Sequence, residues 1–355
     1  MNELFKSDCR HFKGEVPCIY HKKEGVHCSD CPHYDRVEQK ILIIKLGAAG
    51  DVIRTTPLLR KLKEVYPKAE LYWLTRFPEL VPSLVDHILP FRLESVLLLQ
   101  ATYFDYLFNL DKEKEACALT ELISAEVKKG FTLKDGRCFP IDQDAQHKFL
   151  TGLFDDYNRA KTKSYPEEIL ELCGFRFSGE RYILESENFH WDIPEPRPLI
   201  GLNTGCGGKW RSRLWPEENW IDLARRLKGE GFGVLILGGE AEHQKNLRIS
   251  QRSGASYLGH FPLKQFISLV DQCDLVVTAV TMAAHVAIGL GKKIVLFNNV
   301  FNKKEFELYG LGEILEPEFE CDCFYSPECP NNCMQYIYPE RVFEVCCRLL
   351  NDKGR

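Results

Sequence analysis

The hydrophobic pattern is sharpest at an apolar, largely β-branched run, Ile41-Leu42-Ile43-Ile44. It closes at the small-residue turn Gly47-Ala48-Ala49-Gly50, and Val52, Leu58, Leu59, Leu62 and Val65 follow at helical spacing. Such a run predicts a buried parallel strand, and the spacing after it predicts an amphipathic helix. Asp51 stands where the helix N-cap is expected. A strand, a glycine turn and a helix start put backbone N–H groups and a positive helix end at the mouth of a sheet, where phosphates or sugars bind.

The alternation continues along the chain. Further strands are predicted at 70–75, 96–100 and 106–110, a helix at 113–126, a hairpin around Lys134-Asp135-Gly136-Arg137 and a helix at 167–173. Residues 191–198 carry three prolines within five positions and read as a linker. After it come a strand at 199–203, a glycine-rich loop at 204–209, a helix at 216–228 and a strand at 233–237. A helix at 263–271, a strand at 274–278, a helix at 282–290, a strand at 293–297 and a terminal helix at 339–350 complete the pattern. This predicts an α/β protein of two Rossmann-like, doubly wound domains facing across a cleft. The expected boundaries are a Cys/His-rich extension at 1–40, a first Rossmann-like domain at 41–190, a second at 198–338, and a segment at 339–355 packing back toward the first domain.

At 355 residues the chain suits two domains, and 45% hydrophobic with 27% charged residues is the composition of a soluble globular protein. A net charge of -5 argues against a general nucleic-acid binder. The N-terminus MNELFKSDCRH lacks the apolar core of a secretory signal, and Thr278, Thr281 and His285 interrupt the most apolar stretch. The expectation is a cytoplasmic protein with at most peripheral contact with the inner membrane face. Its cysteines gather at both ends. Cys9, Cys18, Cys28 and Cys31, with His11, His21, His27 and His33 nearby, suggest a structural tetrahedral zinc, with an iron–sulfur cluster as second choice. For Cys321, Cys323, Cys329 and Cys333, metal binding, a labile disulfide and buried thiols stay open.

Three short motifs occur in a fixed order: Gly50-Asp51, then Trp215-Pro216-Glu217-Glu218-Asn219-Trp220, then Thr281-Met282-Ala283-Ala284-His285, with KKEFELYG at 303–310. From about residue 41 onward this set resembles the heptosyltransferase-like glycosyltransferases of family 9, which have the GT-B fold. The resemblance implies inverting transfer of a sugar, typically heptose from ADP-heptose, onto a lipopolysaccharide-core or other surface-glycan acceptor without a catalytic metal. Asp51 matches the family's catalytic aspartate, which would take the proton of the attacking hydroxyl. Charge developing on the leaving diphosphate calls for fixed cations and backbone donors. Thr204, Lys209, Arg211 and Arg213 supply them, Arg213 standing in the place of the family's lysine. Thr281 and His285 open a helix aimed at the same diphosphate.

Val280 replaces the acid that the family usually has before that helix, and Glu240 or Glu242 is the substitute considered for holding donor hydroxyls. Lys45, Arg54 and Arg76 are expected contacts for an anionic glycolipid or glycan acceptor. The bland alternatives are an N-cap for Asp51 and a core histidine for His285. Two other classes stay open: a catalytically impaired binding or assembly protein, motivated by Val280, and a metal- or redox-sensing protein on the same scaffold, motivated by the cysteines.

Overall fold

The computed structural model describes residues 4–351, so residues 1–3 of the extension and 352–355 of the terminal segment lie outside it. The chain divides into two compact units. One holds the chain through Gly47, Leu58–Gln146 and Glu171–Phe175; the other holds Ala48–Pro57, His147–Leu170 and the chain from Arg176 onward.

The first unit is built on β1 (Gln39–Ile44), β2 (Ala69–Thr75), β3 (His87–Pro90), β4 (Phe104–Asn109), β5 (Ala125–Lys134) and β6 (Arg137–Pro140). Their order is β3-β2-β1-β4-β5-β6, parallel except for the β5–β6 hairpin. Ile41 to Ile44 are fully buried, as a strand covered on both faces requires. The hairpin turns at Asp135 and Gly136, both at positive φ, as a tight two-residue turn demands. The segment 96–100, expected as a strand, is part of a helix, Leu93–Gln100. Its run of leucines lacks β-branching, and Leu97 and Leu98 face solvent while Leu99 is buried.

The second unit carries β7 (Leu199–Asn203), β8 (Gly233–Leu237), β9 (Leu275–Ala279), β10 (Lys293–Phe297) and β11 (Gly312–Leu315), all parallel, in the order β11-β10-β9-β7-β8. The strand order reverses between β7 and β9, and open α/β sheets bind ligands at such a switch point, beyond the strand C-termini. The core beneath includes Ile200, Leu202, Trp215, Trp220, Val277 and Phe297. The proline-rich segment packs along this unit: Trp191 Nε1 donates to Ser268 Oγ (3.1 Å), and Glu195 accepts from Lys228 Nζ (3.0 Å) and Ser256 Oγ (2.8 Å). Among the described residues no helix is long and apolar enough to cross a membrane.

Candidate active site and metal centre

The helix cap expected at Asp51 falls three residues earlier. The helix runs Ala49–Thr55, its N-cap is Ala48, and no side chain caps it. Asp51 therefore lies in the first turn, where the helix dipole favours a carboxylate but the cap position does not consume it. Arg54 Nε donates to Asp51 Oδ1 (2.9 Å), and a third of the Asp51 side chain (33%) stays accessible. The same guanidinium donates through Nη1 to Glu305 Oε1 (2.7 Å) and lies 3.6 Å from the centre of the Tyr165 ring. Glu305 Oε2 in turn accepts from Lys161 Nζ (3.1 Å), which lies 3.5 Å from Glu168; Glu168 accepts from Lys148 (2.6 Å). Charges alternate along the whole ladder, so each buried ion has an opposite neighbour. Burial opposes the charge on Glu305, but Arg54, Lys161 and Lys148 outweigh it and hold its carboxyl far below the usual range.

The Ala49–Thr55 helix packs on the helix Met282–Gly289. A Cβ at Gly50 would lie 2.6 Å from His285 Cδ2, so only glycine allows this approach. The Gly-Asp and Thr-x-x-x-His motifs, 230 positions apart, are thus one contact. His285 is 5% exposed and its Nδ1 has no hydrogen-bond partner. Burial first, and then the positive charge of Arg54, push its pKa down to about 3, so the ring is neutral at physiological pH.

At the switch point, Arg213 reaches from the loop after β7 to the turn after β9. Its guanidinium donates to the carbonyls of Val280 and of Cys206 (3.1 Å for the latter). It is 9% exposed, its Nε is unpartnered, and among the described residues no carboxylate pairs with it. Burial pulls its pKa down to about 10. The guanidinium also lies 5.4 Å from the Trp210 ring centre and 5.5 Å from that of Phe301, and a buried cation met by carbonyls and ring faces but no counter-ion can take an anion. Thr281 is the N-cap residue of the Met282–Gly289 helix, its Oγ1 3.2 Å from Thr278 Oγ1. Lys209 and Arg211 are exposed on the same loop.

Thr204, expected to meet the donor, commits its hydroxyl to Asn246 Oδ1 (2.5 Å). Lys245, which sequence reasoning passed over, donates to the Thr204 carbonyl (2.8 Å) and is kept from its usual basicity by burial. Its signal was its place three residues after Glu242, just inside the helix that follows Gly238-Gly239. Glu242 accepts from Gly239 N (3.0 Å) and fills the space that a side chain at Gly205 would need. Glu240 is exposed. In the other unit, Lys45 is 3% exposed and paired with Asp111, while Arg76 Nη1 donates to Glu113 (2.5 Å).

The cysteines sort differently from the zinc expectation. Among the described residues, the grouping whose ligand atoms all lie within 4.8 Å of one another is Cys321, Cys323, Cys329 and Cys333; the N-terminal four are not drawn together in this way. Cys321–Cys329 and Cys323–Cys333 sulfurs are each 3.5 Å apart, far beyond a disulfide bond. Four thiolates about 2.3 Å from one tetrahedral ion lie roughly 3.8 Å apart, so this set can hold a single metal ion. Asn299 Nδ2 (3.3 Å, to Cys333) and the Cys333 N–H (3.5 Å, to Cys329) donate to the sulfurs. The same knot grips the donor loop. Ser212 N and Oγ donate to Pro327 O (2.9 Å) and Ser326 O (2.7 Å), and Asn299 Nδ2 donates to Ser212 O (2.7 Å).

The model of glycosyltransferase family 9 (heptosyltransferase) matches residues 173–309. The chain is 24% identical over 294 residues to lipopolysaccharide heptosyltransferase 2 of Salmonella typhimurium, covering 72% of this chain and 81% of that protein. The chain is a glycosyltransferase similar to the heptosyltransferases of family 9. Its fold is the GT-B fold of solved family 9 structures. A Veillonella parvula family 9 enzyme superposes with a TM-score of 0.68 (17% identity, 88% of this chain, 97% of that one). The E. coli ADP-heptose lps heptosyltransferase II superposes with a TM-score of 0.65 (19% identity, 88% and 98%).

Proposed function

We propose that this glycosyltransferase moves heptose from ADP-heptose, with inversion, onto a lipopolysaccharide-core or other surface-glycan acceptor. Asp51 takes the proton of the acceptor hydroxyl as that oxygen attacks the anomeric carbon, and ADP leaves from the opposite face. Arg54 keeps the base ionised and aimed. Arg213, assisted by Lys245, Lys209, Arg211 and the Thr281–His285 helix start, steadies the departing diphosphate, so the step needs no catalytic metal. Glu242 is the acid assigned to donor hydroxyls in place of Val280. The acceptor half is assigned to 41–190, with Lys45, Arg54 and Arg76 toward its anionic groups, and the donor half to 198–338. The site of action is the cytoplasm, peripheral to the inner membrane face, and nucleic acid is no partner.

The observation that carries this reading is the Asp51 carboxylate, ion-paired to Arg54, not spent on a cap and partly accessible. Asp51→Asn, assayed with ADP-heptose and a heptose-deficient core acceptor, should lower kcat by about 10²–10⁴-fold while ADP still binds. Wild-type turnover in that variant would sink the assignment. Val280 supports a second reading, a protein that binds donor without transferring it; donor binding by calorimetry with no product from any acceptor would favour it.

A further inference from the structure

We propose that Cys9, Cys18, Cys28 and Cys31 hold a polynuclear iron–sulfur cluster of the four-iron type, independent of the transfer site. All four line one cavity of about 260 Å³, together with His11 and His21. Yet their sulfurs do not reach the mutual spacing that Cys321, Cys323, Cys329 and Cys333 achieve in the same chain. One zinc ion draws four thiolates to roughly 3.8 Å of each other and leaves no void between them. A four-iron cluster places iron and sulfide between its thiolates and so spreads them around a cavity. Two of the nearby imidazole nitrogens are already engaged: His21 Nδ1 meets Val26 O (3.0 Å), and His33 Nε2 meets Glu24 (2.8 Å). The His21 N–H points at Cys18 Sγ (3.5 Å), the kind of contact that tunes a cluster sulfur.

The segment also needs such a staple. Neither its helix Ile19–Glu24 nor the turn Cys28–Asp30 buries a residue, and Leu4, Phe5, Val16 and Ile19 are exposed. A segment without an apolar core is ordered by a bound group or by its neighbours. Here the neighbour is reached chiefly through Arg10, which donates to Asp35 (3.1 Å), to Asp86 (2.7 Å), and to the carbonyls of Lys68 and Ala69 (3.2 and 3.1 Å) where β2 begins. The cluster would fix Cys9 and thereby aim Arg10, the next residue.

The test is metal and acid-labile sulfide analysis of the full chain purified without oxygen and then reconstituted with ferrous iron and sulfide. The expected result is about four sulfides per chain and about four more irons than Cys28→Ser retains, with broad absorption at about 400 nm that dithionite bleaches. Cys28→Ser should lose the sulfide and that absorption, whereas Cys333→Ser should keep both, because a single ion at the C-terminal set carries no sulfide. Zinc without labile sulfide after reconstitution, or sulfide that survives in Cys28→Ser, would overturn the proposal. Limited proteolysis gives a second readout: cleavage within residues 4–38 should rise in Cys28→Ser and stay unchanged in Cys333→Ser.

Discussion

Arg213 offers the sharpest test of the donor site, because its buried charge lacks an acidic partner. Burial lowers its pKa from 12.5 to about 10 in the ligand-free protein. A diphosphate bound against the guanidinium would restore the ordinary value, and that difference is worth about 3 kcal/mol, or roughly 300-fold in affinity. The sign follows from linkage. Between pH 7 and 9 the free protein already carries this charge, so Arg213 adds no pH dependence to ADP binding there. Above about pH 10 the free guanidinium loses its proton, binding must take one up, and affinity should fall up to tenfold per pH unit. Calorimetry of ADP binding at pH 8 and pH 10.5, in two buffers of different ionisation enthalpy, reads both the affinity and the proton uptake. Arg213→Met should abolish the uptake and weaken ADP by about 30-fold or more, the loss of a charge-assisted bond. Equal affinity at the two pH values, or an Arg213→Met variant that binds ADP like wild type, would refute the reasoning.

Glu305→Gln should destabilise the protein by about 3–5 kcal/mol in urea titrations, since Arg54 and Lys161 lose a buried counter-charge. Because the Glu305 pKa is depressed in the fold, its contribution is present above the unfolded value of about 4.3 and lost as pH falls below it. The variant's stability should therefore vary less with pH on the acid side. Gly50→Ala should cost about 1–3 kcal/mol by chemical denaturation and lower kcat, as the new methyl displaces His285. Cys333→Ser, which breaks the C-terminal four-thiol set, should release the Ser212 clamp and weaken ADP several-fold; a variant with unchanged ADP affinity would disprove that link.

Much of the architecture was legible because buried parallel strands are written as uninterrupted apolar runs. Leu199–Asn203, Gly233–Leu237 and Lys293–Phe297 fall at their expected places. The short edge strands His87–Pro90 and Gly312–Leu315 carry too few apolar residues to stand out, and both lie at sheet margins. Leu93–Gln100 shows the opposite failure, a run whose period cannot separate strand from helix. At the site, Asp51 was visible through its motif. Its ladder was not, because Arg54 and Glu305 are separated by 251 positions and no local pattern joins them. The cap was misplaced because Ala48 carries none of the side chains that mark an N-cap.

The grouping of Ala48–Pro57 with the second sheet has a geometric consequence. Asp51 and Arg213 belong to one compact body, so the span from the proposed base to the proposed anion cradle is an internal dimension of it, fixed by Gly50 on His285 and by Arg213 on Val280. Chemical timing would then reside in a preassembled block. Alterations confined to β1–β6 should be felt in how an alcohol is delivered and leave the strength of nucleotide capture untouched.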